Sequence, residues 1–501
     1  MSTPTPPYLY EINTMSFLIR MGDDERPLPL AKLHGDFFSG LRDRGFGYVW
    51  MMGMWERSPA SRQEALDHPD LQREYTAALG NWEAADVTGS PYAVRRYQPD
   101  PRFGKWKDLK KFKEHLNGLG LKLILDFVPN HTALDHPWVS ERPESYLCAN
   151  REQRDALNHD HFHEIAPGRY AAHGRDPYLD PWTDTLQLNY ADPETRELII
   201  QELERIAMYC DGLRCDMAML VVNRVIRQTW GHLIGADLPP EEFWTEAITR
   251  IKDQHPGFVF IAESYWNMEW ELQQMGFDYT YDKVLYDRLL NSDAGDVRGH
   301  LCADLEYQFR SLRFIENHDE LRSLAVMDEA QARAAAVVAL TVPGLKLIFD
   351  GQTDGRTVKM PVQLRRGPDE DPNRVMTYFY ENLFDFTGSD VFVEGEWMLC
   401  EVVPSSENNP SYDRILAWAW RFENEMRAVI VNYAPEAAQA RVKLPWIPEA
   451  HEPVIFDDHA VDEVYDRERH ELRAEGLYVD LGPWQFHWLS CALHAGVAAP
   501  S

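Results

Sequence analysis

Gly212-Leu-Arg-Cys-Asp216 is a short apolar run closed by a carboxylate, and three other stretches of the chain repeat that design. They are Leu123-Ile-Leu-Asp-Phe-Val-Pro-Asn-His131, Phe258-Val-Phe-Ile-Ala-Glu263 and Phe314-Ile-Glu-Asn-His-Asp319. A charged group at the end of a buried strand must find partners or shift its pKa, so four such endings in order point to one shared site.

Working outward, apolar runs at residues 8–13, 47–54, 121–127, 212–217, 258–263, 277–281, 312–316 and 345–349 alternate with helical patterns such as 106–119, 193–209, 240–254 and 330–340. Eight strands alternating with helices predict an α/β fold, a (β/α)8 TIM barrel. The four polar endings then lie at the carboxyl ends of strands, the face where such barrels carry chemistry. Two connections, 57–97 and 132–189, are too long for simple loops and are expected to shape a binding site. From about residue 385 the pattern turns to alternating, strand-like pieces. The expected division is a barrel over 1–131 and 190–384, an inserted domain over 132–189, and a C-terminal all-β sandwich over 385–501, with 495–501 as a frayed tail.

Lys and Arg number 50 against 81 Asp and Glu, a formal net charge of −31. That balance repels phosphate backbones and anionic lipid, so neither nucleic acid nor membrane is an expected partner, whereas a neutral substrate is indifferent to it. With 44% hydrophobic residues, 16 Trp, 22 Tyr and 22 Phe, the chain can build a large core and still offer flat rings to sugars. Six Cys without a CxxC pair read as reduced, packed thiols. The first residues lack a basic and an apolar region, and no apolar run is long enough to span a bilayer, so a cytoplasmic protein is expected.

Adjacent barrel strands bring their ends together, so Asp216 and Glu263, closing the fourth and fifth strands, can face one bond. Cleaving a glycoside with retention needs two carboxyl groups about 5–5.5 Å apart. Arg214 shares the face of Asp216 and is expected to hold it ionised. Glu263 has no cation near it in sequence, which suits a raised pKa and an acid role. Asp319 and His318 on the seventh strand, with Asp126, Asn130 and His131 on the third, add a carboxylate and donors for sugar hydroxyls.

Arg322 and the Arg175-Asp176 pair are further candidates for sugar contact, the pair weighed against ordinary loop ion pairing. Trp50, Trp55, Trp82 and Trp266 are weighed as sugar platforms against core filling. His161 and His163, with Asp160 and Glu164, read as a polar loop, because the H-x-H spacing lacks a third ligand.

Taken together, Asp126-Phe-Val-Pro-Asn-His131, Gly212-Leu-Arg-Cys-Asp216, Glu263 after Ile-Ala, and Glu316-Asn-His-Asp319 resemble the four ordered signature regions of the α-amylase superfamily, glycoside hydrolase family 13. The resemblance implies a catalytic barrel, a domain B after the third strand, a C-terminal β-sandwich and retaining action on α-glucosidic bonds. By position it implies Asp216 as nucleophile, Glu263 as acid/base and Asp319 as transition-state stabiliser. Arg214, His131 and His318 match substrate-contacting residues, and Tyr92, in Ser90-Pro-Tyr-Ala-Val, matches the aromatic that stacks under the sugar.

Departures from the family pattern narrow this. Met219 and Leu220 stand where many endo-acting amylases carry Lys-His. Gln187 stands where calcium-binding members have Asp, so no cofactor is expected; Asn130 would be one ligand were calcium bound. Phe349-Asp-Gly-Gln352 replaces a commoner Gly-Asp-Glu. The expected substrate is an α-1,4-linked maltooligosaccharide or a small α-glucoside. Set against hydrolysis are a transglycosylase or glucoside isomerase using the same residues and, in another class, a barrel that only binds carbohydrate.

Overall fold

A computed structural model describes residues 8–22, 26–33, 35–234, 238–291 and 293–493. The expected tail at 495–501 lies outside them. Eight parallel strands close a barrel: β1 Tyr8–Asn13, β2 Phe46–Met52, β3 Lys122–Phe127, β4 Gly212–Cys215, β5 Val259–Ala262, β6 Tyr279–Tyr281, β7 Ser311–Arg313 and β8 Leu345–Phe349. Each pairs with its neighbours in chain order, and β8 closes on β1. The seventh run was expected to stay in the sheet to residue 316, but the ladder stops at Arg313.

Side chains of a strand alternate between faces, and that period of two fills the barrel. Leu9, Trp50, Ile124, Ile261, Leu312 and Leu347 meet in one buried cluster inside it. Gly212 sits at an inward position beside Ile124 and Val259, where a Cβ would lie 2.5 Å from the Val259 carbonyl oxygen. Only glycine fits there, and its absent side chain lets β4 pack close to both neighbours.

The long connection after β2 folds into two helices, α1 Pro59–Asp67 and α2 Pro69–Ala78. Ser58 caps α1 by accepting from the Ser61 amide, an interaction of about 1 kcal/mol. Flanking them, Trp55–Arg57 pairs antiparallel with Val94–Pro99. After β3, His131–Ala133 pairs with Thr185–Gln187, and a three-stranded sheet forms from Cys148–Ala149, Phe162–Ala166 and Arg169–Ala172. His163 lies on that small sheet.

The division expected at 385 falls inside a helix, α3, which runs from Arg374 to Thr387 with Asn373 as its cap. Phe379, Leu383 and Phe386 on α3 are buried, and Phe386 lies over Trp488 at 5.7 Å, so packing carries the helix past the expected boundary. Strands begin at Glu396 and form a six-stranded and a three-stranded sheet. Trp420, in the larger sheet, donates its indole N–H to the Thr341 carbonyl, 2.7 Å away, on the helix preceding β8. Among the described residues no helix is long and apolar enough to cross a membrane.

Candidate active site

The period that fills the barrel also builds the site. Gly212, Arg214 and Asp216 follow one inward face past the end of β4, as Ile261 and Glu263 do on β5 and Leu9 and Glu11 on β1. Arg214 is fully buried, and its guanidinium contacts Asp216 at 2.7 Å, Glu263 at 2.7 Å and Asp319 at 4.0 Å. The rings of Trp50 and Tyr92, each 5.2 Å away, and Tyr281 at 5.4 Å surround the cation. One planar fork thus ties together carboxylates from three strand ends, a geometry that an ammonium cannot reproduce.

Two expectations about charge change. Glu263 has no cation near it in sequence, yet in space Arg214 touches it; burial, with the Asp216 and Asp319 charges, still pushes it up to about 7. Asp216 was expected to be held ionised by Arg214. Burial outweighs that pull and, with the Asp319 and Asp126 charges, raises its pKa. Too many carboxylates share too little positive charge for all to ionise freely.

Glu263 is held at both oxygens. The Met217 amide donates to Oε2 at 2.6 Å, and the Tyr265 hydroxyl donates to Oε1 at 2.8 Å. Met217 adopts φ +40°, a left-handed conformation uncommon for a side chain of its size, and that turn places its amide over β5.

His318 donates from Nδ1 to Glu11 and from Nε2 to Asp319, the latter at 3.0 Å. Burial opposes its charge, but these two carboxylates push it up to about 10. Burial also opposes ionisation of Asp319, yet His318 and Arg214 hold it well below the usual carboxylate range. Its side chain is 44% exposed and faces the cavity. Tyr92 stacks on His318 with centroids 5.4 Å apart, its hydroxyl 2.8 Å from Nε2. His131 stays neutral, burial lowering it to about 4.

Of the residues expected to contact substrate, Tyr92 and His131 line the cavity, Arg214 and His318 lie behind its carboxylates, and Asp126 and Arg322 bind other groups of the protein. Asp126 accepts from the Trp50 indole at 3.1 Å and from the Gly53 amide at 2.7 Å, and burial raises it to about 6. Gly53, at φ +78° with Pro91 against it, permits that close approach. Arg322 binds Glu316 at 2.8 Å and the Asp350 carbonyl at 2.9 Å, and lies over the Phe349 ring. Both brace the barrel rim from behind.

Arg175 and Asp176 are not an ion pair: the Arg175 side chain donates to the Asp176 carbonyl oxygen, and the Asp176 carboxylate caps the Tyr178 and Leu179 amides. Of the tryptophans weighed as platforms, Trp50 and Trp55 are buried, and Trp82 packs on Tyr75. Trp266 lines the site.

The cavity measures about 700 Å³, within the usual range for small-molecule sites. Tyr92, His131, Asp216, Glu263 and Asp319 line its inner part. Both long connections form its outer walls: Glu64 from α1, Glu74 from α2 and His68 between them, and Asp176, Leu179 and Trp182 from the segment after β3. Sequence reasoning missed Glu11 and Tyr265. Glu11 had a signal, a carboxylate at an inward position of an otherwise apolar first strand; Tyr265 is two residues past Glu263 but in a loop with no period to read.

At the position weighed for calcium, the Asn130 and Gln187 side chains pair with each other. The Gln187 side-chain nitrogen lies 3.0 Å from both the carbonyl and the side-chain oxygen of Asn130, and 3.2 Å from the Leu188 carbonyl. An amide donor stands among three oxygens that a cation would need. Among the described residues, no group of three His, Cys, Asp or Glu is arranged to hold a metal ion.

The family model for the alpha amylase catalytic domain matches residues 87–385. The chain is 23% identical over 329 residues to alpha-amylase 3 of Dictyoglomus thermophilum, covering 60% of this chain and 61% of that one. It is 20% identical over 351 residues to the 4-alpha-glucanotransferase of Thermotoga neapolitana, covering 64% and 67%. Among solved structures, the noncanonic maltogenic alpha-amylase AmyB of Thermotoga neapolitana shares the fold with a TM-score of 0.68, at 19% identity over 98% of this chain and 99% of that one. The match thus spans about three fifths of the length of the Dictyoglomus amylase. A closed parallel barrel with these strand ends, and a family match over more than half of its length, make this chain a member of the α-amylase family.

Proposed function

We propose that the protein is a retaining α-glucoside-active enzyme that cleaves α-1,4-linked maltooligosaccharides or small α-glucosides. The observation that carries this reading is the Arg214 hub, which gathers Asp216, Glu263 and Asp319 at one cavity. Asp216 attacks the anomeric carbon while Glu263 gives its proton to the leaving oxygen; the ester on Asp216 is then opened by water that Glu263 deprotonates. Asp319, kept ionised, faces the positive charge that develops on the sugar ring. His131 supplies a hydrogen bond to a sugar hydroxyl, His318 holds Asp319 and Tyr92 in place from behind, and Tyr92 offers its ring to the sugar face.

A second reading is supported by the glucanotransferase relative and by the residues after Asp216. Met219 and Leu220 are buried, so the side chains at the Lys-His positions do not reach the cavity. A sugar hydroxyl in place of water would then yield a transglycosylase. Incubation with maltooligosaccharides, with and without an acceptor sugar, separates the two. Shorter products alone mark hydrolysis, longer or isomeric ones mark transfer, and no turnover of any α-glucoside overturns both.

Glu263 must be protonated for the first step, and it loses its proton as pH rises through about 7. We expect kcat/KM to fall above that pH with natural substrates. A profile flat to pH 9 would remove Glu263 from the acid role. Because Gln187 fills the metal position, we further infer that calcium is not needed. A chelator is expected to leave activity and Tm unchanged; a drop in Tm restored by added calcium would contradict this.

A further inference from the structure

The two oxygens of Glu263 are not equivalent. Oε2 faces the Met217 amide at 2.6 Å and the Arg214 guanidinium at 2.7 Å. Both are donors that cannot accept, so a proton on Oε2 would face two others. The acid proton therefore resides on Oε1, whose partner is the Tyr265 hydroxyl at 2.8 Å. A hydroxyl both gives and takes a hydrogen bond, so Tyr265 can face Oε1 in either state.

Trp266 and Asn267, immediately after Tyr265, both hold left-handed backbone, at φ +63° and +58°. Two such residues in succession are a strained backbone, held directly after the tyrosine at the edge of the cavity. Tyr265 packs one side against the core, and its partly exposed remainder lines the cavity beside Glu263 and Trp266. Other charged or titratable groups facing Glu263 are Arg214 and Asp216 from β4, Asp319 beyond β7 and Tyr281 from β6. Burial and the Glu263 and Asp319 charges keep the Tyr265 hydroxyl protonated.

We infer that Tyr265 is a positioning residue that holds the proton-carrying oxygen of Glu263 through both halves of the reaction. This rests on the glycosidase reading above. In the free enzyme the Tyr265 hydroxyl donates to Oε1, which carries the acid proton on its cavity side. When substrate binds, that proton turns to the glycosidic oxygen and leaves with it as the C1–O bond breaks and the Asp216–C1 bond forms. Tyr265 keeps donating its own hydrogen to the new carboxylate without giving it up. In the second half, Oε1 takes a proton from water, the water oxygen bonds to C1, and the Asp216 ester bond breaks.

The test is kcat/KM against pH on a maltooligosaccharide for the wild type, Glu263→Gln, Tyr265→Phe and Tyr265→Ala. A donor to the ionised carboxylate lowers its pKa, so losing the hydroxyl should move the alkaline limb up by about one unit. Both tyrosine variants should show that shift with an unaltered Tm, along with a loss of roughly tenfold in kcat, a part of the roughly 10²–10⁴-fold that a general acid contributes. An alkaline limb that stays at the wild-type pH, or moves down, in either folded variant overturns the inference. If instead the wild type turns over no α-glucoside, or Glu263→Gln keeps the wild-type profile, the reading of the site itself has failed.

Discussion

Asp216→Asn is expected to lower kcat by at least about a thousandfold, because the amide cannot form and release the glycosyl ester. The fold should tolerate the change. Asn is the same size and can still accept from Arg214 through its carbonyl oxygen, as Asp216 does at 2.7 Å. Folding raises the Asp216 pKa through burial and the Asp319 and Asp126 charges. A raised carboxyl pKa means that the ionised form is disfavoured in the fold, so it costs stability at neutral pH, and neutral Asn removes that cost. Activity and Tm should therefore separate, with activity lost and Tm unchanged or higher. Activity within tenfold of wild type would remove Asp216 from the nucleophile role, and a collapsed Tm would show that it acts as scaffold.

Arg214→Met should damage both. The guanidinium is fully buried and is the contact shared by Asp216, Glu263 and Asp319. Removing one partner of a buried ion pair leaves uncompensated charge, at a typical loss of about 3–5 kcal/mol. The loss should be larger at pH 8 than at pH 5, since at low pH the stranded carboxylates can take up protons. Denaturant unfolding at the two pH values checks this. Equal losses at both would mean that the packing of the long side chain against Trp50, Tyr92 and Tyr281 matters more than its charge. Arg214→Lys should restore part of the stability but little activity, because one ammonium cannot hold the carboxylates in the same plane.

The strand ends show why sequence was informative here. Asp216 and Glu263 are placed by strand period alone: once β4 and β5 are recognised, residues two beyond Arg214 and Ile261 must face inward. The same rule would have found Glu11 on β1, which completes the His318 pair. Asp126 shows the limit of the rule. It is inward on β3 and was expected at the substrate, yet the Trp50 indole and Gly53 amide claim both its oxygens. Which inward group remains free depends on neighbours brought in by other strands.

The alternation of apolar runs and helices decided the barrel, and the four ordered motifs that close those runs pointed to the family and to Asp216, Glu263 and Asp319 as the candidate carboxylates. These are local signals, since a strand's period and its polar terminus are written in consecutive residues. Charge state was decided only by the tertiary structure. Glu263 has no cation beside it in the chain but meets Arg214 from the neighbouring strand, Asp216 is raised where its neighbour in sequence suggested the reverse, and Arg322 turns away to Glu316. Burial and Coulomb interactions depend on distance in space, and space is set by all eight strands together. The cavity walls follow the same logic: α1, α2 and the segment after β3 have little period to read, and it is their packing around Asp216 that determines the shape of the cavity.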